Sequence, residues 1–363
     1  MNRREFQRGA GCAAIGWALS AGMKRASAAA PQAKIKIGQI GTGHSHASGK
    51  LAAIRSLSGD YELVGVVEPD ERRRQASAGE AAYGGVAWLS EKELLATPGL
   101  QAVAVETTVL DLLPTATRCV AAGLNVHLDK PPGASLSGLR RLLDDATRRR
   151  VTVQLGYMLR YNPAFQLCFQ AAREGWLGEI FEVHGVMSKV FGADERRRLL
   201  EYPGGSMFEL GCHLIDQLVT LLGKPEQVTA YPRQTRTDLD PLVDNQLAVF
   251  EYPRATATIR SSVVEIEGGQ RRQFVVCGTE GTLEIRPLEP PAVTLTLTKP
   301  QGSYRKGRQT VKLPEMTGRY DGDFIDLAAV IRGEKPLAWT PEHDLITHEC
   351  VLRASSLSVD TQQ

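Results

Sequence analysis

The 363 residues hold six cysteines and no CxxC pair. Cys12 lies near the start, and Cys119, Cys168, Cys212, Cys277 and Cys350 are scattered and odd in number. That pattern excludes a zinc cluster or a disulfide framework as the organising device and leaves buried free thiols as the expectation. Low-complexity tracts are absent. So is a long hydrophobic run: the alanine- and glycine-rich segment Gly9 to Met23 is too short and too weakly apolar to span a bilayer. An excess of one charge is missing as well. The formal net charge is +2, and Arg3, Arg4, Arg8, Lys24 and Arg25 against Glu5 more than account for it. The remaining body is faintly acidic, which argues against nucleic acid or an anionic membrane as a partner.

Asn2-Arg3-Arg4-Glu5-Phe6 is a twin-arginine pattern, and Ala26-Ser27-Ala28 and Ala28-Ala29-Ala30 offer small-residue cleavage sites. Residues 1–30 are therefore expected to be a signal peptide that sends an already folded protein to the periplasm, with no membrane attachment after cleavage. About 330 residues remain, enough for two domains.

The first domain is expected over residues 34–155. Ile35, Ile37 and Ile40 read as a buried strand that breaks at Gly41-Thr42-Gly43 and resumes as a helix carrying Ala47, Leu51, Ile54 and Leu57. Strand, glycine turn and helix start, in that order, form a dinucleotide site. The turn is tight, backbone amides approach a pyrophosphate, and the helix N-terminus supplies unpaired N–H groups. The third glycine of the usual fingerprint is replaced by His46. Twenty-two residues later the apolar run Leu63 to Val67 ends in Glu68, placed to accept from ribose hydroxyls. Further strands are expected at 86–88, 102–105, 125–128 and 151–155. Helices are expected at 71–82, 112–122 and after Ser135, so the region reads as a doubly wound parallel sheet.

From residue 156 to 363 the rhythm changes. Runs at 178–190, 246–250, 256–266, 273–277 and 282–285 are joined by short turns, which indicates a largely antiparallel sheet. Helices are expected at 205–222, 321–331 and 341–356. This second domain is α+β, and the open face of its sheet suits a homo-oligomer, a dimer or tetramer.

Two places carry candidate chemistry. Asp129-Lys130-Pro131 sits at the carboxyl end of a strand, where ligands of open α/β sheets bind. Glu209 and His213, four apart on one helix, put a carboxylate beside an imidazole, a usual way to build a general base. Asp216 borders the same face or holds a neighbouring loop. His44-Ser45-His46 supplies half a metal site with no third ligand at recognisable spacing, so no metal is expected and a role at the helix cap and pyrophosphate is preferred.

Taken together, Gly41-Thr42-Gly43, Glu68, Asp129-Lys130-Pro131, Gly156-Tyr157, Arg160-Tyr161-Asn162-Pro163, the stretch Gly204 to Asp216 and the turn Gly278 to Leu283 resemble the Gfo/Idh/MocA family of nicotinamide-dependent sugar and polyol oxidoreductases. The Gly204 to Asp216 stretch is similar to the family's GGGxLxDxGxHxxD. The resemblance implies that Lys130 orients the substrate hydroxyl and shares in proton transfer. His213 would take the hydroxyl proton, and Glu209 would orient His213 or the sugar. It also implies that Thr107 and Thr108 lie against the cofactor and that Tyr157 and Arg160 face the substrate. Glu209 replaces the usual Asp and Asp129 the usual Glu. The histidine common after the Thr-Pro loop is absent, with Leu112 near its place. The cofactor expected is NAD, tightly held because free NAD is scarce outside the cytoplasm. Two other readings use the same residues: an NAD-dependent glycoside hydrolase working through transient hydroxyl oxidation and elimination, and a non-catalytic sugar or nucleotide binder.

Overall fold

The computed structural model describes residues 33–360, so the expected leader lies outside the described residues. The five strands of the first sheet are β1 (Ile35–Ile40), β2 (Tyr61–Val67), β3 (Leu100–Val105), β4 (Asn125–Leu128) and β5 (Val153–Leu155). They pair in the order β2-β1-β3-β4-β5, and every pair is parallel. Between them run α1 (Ala47–Ser56), α2 (Glu71–Ala78), α3 (Glu91–Leu95), α4 (Val109–Ala121) and α5 (Leu136–Arg149). Ile37, Val103, Ala104, Val105, Val126 and Leu128 are wholly buried, as strands covered on both faces by helices must be. Local signals hold as well: the Ser135 hydroxyl accepts from the Gly138 amide to start α5, and Ser90 with Glu93 forms a capping box on α3.

The second sheet has eight strands. They are β6 (Ile180–Val186), β7 (Gln227–Arg233), β8 (Asn245–Glu251), β9 (Thr256–Ser262), β10 (Gln273–Gly278), β11 (Gly281–Ile285), β12 (Val293–Leu297) and β13 (Gly307–Val311). Their order is β13-β12-β11-β10-β6-β9-β8-β7, antiparallel except for the β6–β9 pair. Along β8 and β9 buried residues alternate with half-buried ones. One face therefore packs on α6 (Pro163–Arg173), α8 (Cys212–Leu222) and α10 (Pro341–Ala354), while the other remains open. α7 (Ala193–Leu199) and α9 (Asp321–Ile331) complete the set.

The differences from expectation are instructive. Residues 86–88 make only an isolated bridge, Val66 with Trp88, and the helix from Glu71 ends at Ala78 before a short 3₁₀ turn at Ala81–Tyr83. The chain is helical from Gly205 to Leu222 as expected, but Met207–Gly211 is a π-helical turn. β7, β12 and β13 lie toward the sheet edges with many threonines, glutamines and arginines, where alternation is weak as a sequence signal.

α9 and α10 belong by sequence to the second region yet contact the helices of the first sheet. The Tyr61 hydroxyl donates to the Phe324 carbonyl at 2.6 Å, and Gln154 donates to the Asp323 carbonyl at 3.1 Å. The Asp323 carboxyl is buried with neither oxygen partnered among the described residues. Burial pushes its pKa up to about 7, opposed by Lys50 and Arg160. A carboxyl whose folded pKa is raised gives stability that is complete below its unfolded pKa and is lost as pH rises through 7. Asp323→Asn should thus gain on the wild type by about 2–3 kcal/mol between pH 5 and pH 8. Urea unfolding at the two pH values reads this directly, and a pH-independent difference would remove Asp323 from the account.

Candidate functional site

The glycine turn joins β1 to α1. Gly41 has φ +92°, and a Cβ there would lie 2.6 Å from the backbone of Thr107, so only glycine lets the turn press against the end of β3. Thr42 donates from its amide (2.7 Å) and hydroxyl (2.9 Å) to Glu68 Oε2, and the Asp70 amide donates to Glu68 Oε1 at 3.0 Å. Glu68 therefore ties the turn to the end of β2, a task beyond the ribose contact expected of it. No side-chain cap hydrogen bond from the N-cap His46 forms on α1, and its first turn holds no acid; the Ala47 amide is engaged by the His44 carbonyl at 3.1 Å, and the positive end of the helix dipole is left to a ligand. The capping role expected of His46 is not made, because its ring turns inward.

Two cavities meet the turn. One of about 690 Å³ is lined by Thr42, Gly43, His44, Ser45, His46, Thr108, Lys130, Glu209 and His213, among others. The other, about 620 Å³, is lined by Gly41, Glu68 and Thr107, with Arg73 and Arg74. A turn that tolerates no Cβ, an uncapped helix end and a cavity on each side fit an extended dinucleotide. Arg73 and Arg74 are exposed and also line the rim of the second cavity, because α2 starts shortly after Glu68 at the end of β2.

Beneath the turn lies a knot of buried charge. Asp129 Oδ2 is 2.8 Å from His44 Nδ1 and 2.9 Å from Lys50 Nζ, and its Oδ1 is 3.3 Å from His46 Nδ1. Lys50 also meets Glu106 at 3.1 Å, and His44 Nε2 lies 3.1 Å from the Lys130 carbonyl. All of Lys50, Glu106 and Asp129 are fully buried. Burial alone would raise the Asp129 pKa, but His44, Lys50 and His46 outweigh it and hold the carboxyl well below its usual range. For Glu106 burial prevails, with the Asp129 charge adding to it, and its pKa lies well above normal. Burial lowers the His46 pKa to about 3. Asp129, at the strand end where a ligand is expected, is thus the buried anchor under the glycine turn. His44, His46 and Asp129 present ligand atoms within 4.8 Å of one another, so folding supplies the third partner that sequence spacing did not. Lys50 already sets a cation on Asp129 there.

Lys130 is fixed by the same carboxylate, its amide donating to Asp129 Oδ1 at 2.6 Å. Its ammonium reaches the Glu209 carbonyl at 2.9 Å and Glu209 Oε1 at 3.3 Å. Glu209 Oε2 accepts from the Tyr202 hydroxyl at 2.7 Å. The π turn widens the helix at this point, so Glu209 serves Lys130, and no Glu209–His213 hydrogen bond forms among the described residues. The expected role of Glu209 in orienting His213 is corrected accordingly. Burial works against both charges of the pair, yet each partner overrides it: the Lys130 pKa is raised and the Glu209 pKa lowered. His213 is held well below its usual pKa by burial, then by Lys130 and His46. Its Nδ1 is buried without a partner, and its ring lies 5.9 Å from that of His46. The cavity floor is thus an ammonium, a carboxylate and a neutral imidazole.

Other expectations are revised. Tyr157 is wholly buried, edge-on to His213 at 6.3 Å. It backs the imidazole and does not line the cavity. Arg160 is equally buried, holding Asp216 at 2.7 Å and Asp344 at 2.5 Å, with His343 on Asp216 at 3.1 Å. It staples α8 to α10 and has no open side for substrate. Gly204 and Gly205 serve packing, since a Cβ on Gly205 would collide with the Val243 carbonyl. Lys50, Glu106 and Tyr202 were missed. Lys50 alone left a trace, standing on the apolar face of α1 between Ala47 and Leu51, where a cation needs a buried partner.

The described geometry has parallels. A model of an oxidoreductase family with an NAD-binding Rossmann fold, GFO/IDH/MocA, matches residues 35–157, and one of the GFO/IDH/MocA C-terminal domain matches residues 165–284. D-xylose 1-dehydrogenase (NADP(+)) 2 of Haloferax volcanii is 28% identical over 258 residues, 69% of this chain and 75% of that protein. Mouse trans-1,2-dihydrobenzene-1,2-diol dehydrogenase is 25% identical over 244 residues, 64% of this chain and 69% of that protein. In fold, an aldose-aldose oxidoreductase from Caulobacter crescentus, solved with glycerol, superposes with a TM-score of 0.75 at 18% identity, over 89% of this chain and 98% of that one.

Removing one partner of a buried ionic group leaves the others uncompensated. Lys50→Met should therefore cost about 3–5 kcal/mol of folding stability, the usual range for breaking such a pair. Urea titration measures it, and a loss below about 1 kcal/mol, the scale of an exposed pair, would show that the knot does not depend on Lys50.

Proposed function

The chain belongs to the Gfo/Idh/MocA family of oxidoreductases, and we propose that it moves hydride between a bound nicotinamide dinucleotide and a carbohydrate or polyol hydroxyl. The observation that carries this reading is the cavity floor, where the Lys130–Glu209 pair and neutral His213 stand beside the glycine turn. Dehydrogenases of a sugar and of a diol among the relatives support the same class of reaction.

When bound, the nicotinamide supplies the hydride acceptor. The chain supplies the proton path. Lys130, kept cationic by Glu209, donates a hydrogen bond to the reacting oxygen and lowers the hydroxyl's affinity for its proton. His213 receives that proton as hydride leaves the same carbon, which becomes a carbonyl. With Lys130 nearby and its ring buried, the imidazolium so formed gives the proton up readily to solvent or to a second substrate. Tyr202 and the π turn hold Glu209 on Lys130, so the ammonium keeps one position through the cycle. His213→Ala and Lys130→Ala should each lower kcat by about 10²–10⁴, the range for general acid–base groups, with nucleotide content unchanged. Full activity in His213→Ala with nucleotide bound would place the base elsewhere.

NAD is the form proposed, because Glu68 at the end of β2 would repel a 2′-phosphate. Arg73 and Arg74 beside it act in the opposite sense, so the choice rests on which charge the ribose meets first. Export of a folded chain, expected from Arg3 and Arg4, supplies the reason for holding the nucleotide tightly, at a Kd of about nanomolar or below. A second copy seated on the open face of the eight-stranded sheet completes the proposal. Native mass spectrometry on protein from the periplasmic fraction reads all of this together. Dimers or tetramers carrying one NAD(H) per chain are expected; NADP(H) in its place, empty subunits, monomers, or absence from that fraction would each remove the corresponding part.

A further inference from the structure

The cavity beside His213 and Lys130 is also lined by Lys189, Arg198, Arg272 and Arg319. Most of these cations are accounted for. Lys130 is matched by Glu209, Lys189 meets Glu195 at 3.0 Å, and Arg319 meets Glu289 at 2.5 Å. Arg198 is exposed. Arg272 is different. It is half-buried just before β10, and its Nε donates to the Ser188 carbonyl at 3.1 Å. Among the described residues neither of its Nη groups has a hydrogen-bond partner, and it enters no ion pair.

An arginine anchored through Nε presents its two Nη groups as a fixed fork, the geometry that receives a carboxylate or phosphate. Ser188 is wholly buried, and the neighbouring Lys189 amide is bonded to the Ser262 carbonyl at 2.9 Å, so the anchor is rigid. Glu289, the carboxylate whose charge acts on Arg272, is already engaged by Arg319. Burial lowers the Arg272 pKa, Glu289 works against that, and Arg319 adds to it; a bound anion would relieve both costs. The dinucleotide has its own receiver for phosphate in the glycine turn and the start of α1, on the other sheet.

We propose that Arg272, with Arg319 beside it, receives an oxyanion carried by the carbohydrate, so that the substrate is an acidic sugar such as a uronate, an aldonate or a sugar phosphate. The inference deepens the oxidoreductase reading of the same cavity and rests on it. Arg272 positions the substrate; proton transfer stays with Lys130 and His213.

Calorimetric titration of the full chain, with its nucleotide content recorded, tests this using D-glucuronate, D-gluconate and D-glucose 6-phosphate, each against D-glucose. At least one acid should bind about tenfold or more tighter than glucose, the worth of one charged hydrogen bond, and the advantage should shrink as salt is added. Which acid wins distinguishes carboxylate from phosphate. Arg272→Met should erase the advantage and leave nucleotide content unchanged, while Arg272→Lys retains part of it. Glucose binding as well as every acid overturns the proposal on the wild type alone, whatever the variants do. So does an acid preference that survives Arg272→Met, or a loss of nucleotide in its place. An acid that binds tightly yet exchanges no hydride with the nucleotide would sink the oxidoreductase reading and leave the anion site standing. Equal hydride transfer from neutral sugars would do the reverse.

Discussion

Asp129 is a carboxylate with no access to water, and four residues, His44, His46, Lys50 and Lys130, are arranged around it. His44 and His46 bring the glycine turn to it, Lys50 brings α1, and the Lys130 amide ties in the loop that carries the Lys130 ammonium. A charge removed from water is tolerated only when its partners are close and well aimed. The partners consequently have little freedom to move, and the cavity that His44, His46 and Lys130 line is held in shape by a carboxylate buried beneath it. The aspartate of the Asp129-Lys130-Pro131 loop and the histidine in place of the fingerprint's third glycine are direct partners. Both imidazoles reach the one carboxylate, a contact that a glycine could not make.

The same logic runs through Lys130 and Glu209. Neither charge would be comfortable in its place alone, and each is kept by the other. The π turn brings the Glu209 carbonyl and carboxylate to the same ammonium, while Tyr202 occupies the carboxylate's second oxygen. His213 is kept neutral first by its burial and then by this positive group nearby. Acid and base thus differ because their surroundings push their proton affinities in opposite directions.

Much of this was legible beforehand. The parallel sheet announces itself through apolar runs at Ile35, Leu63, Ala102 and Asn125 that end in polar or glycine residues. Lys130 and His213 stand out through the motifs around them. What stayed hidden has a common physical cause: it depends on which residues meet across the fold. Arg160 looks like a substrate ligand in a linear motif, yet its partners Asp216 and Asp344 are 56 and 184 residues away. Glu209 and His213 look paired at regular helical spacing, and a single π turn redirects one of them. Asp129 completes the cluster with His44 and His46 from 83 residues downstream of His46. Periodicity reports faces of one element, and these contacts are made between elements.

The late part of the chain has one more consequence, for the order in which the molecule is built. α9 packs on α1, and α10 on α5. Arg332 pairs with Asp60, and Asp360 receives the Ser135 and Ser137 hydroxyls at the start of α5. The parallel sheet is made from the first half of the chain, but part of its cover is made from residues 321–360. A ribosome that has released the whole nucleotide-binding sheet still holds the helices that close it, so this half waits, partly uncovered, until residues 321–360 have emerged. The parallel sheet and its late-made cover are therefore completed together, although the strands of the sheet are made first.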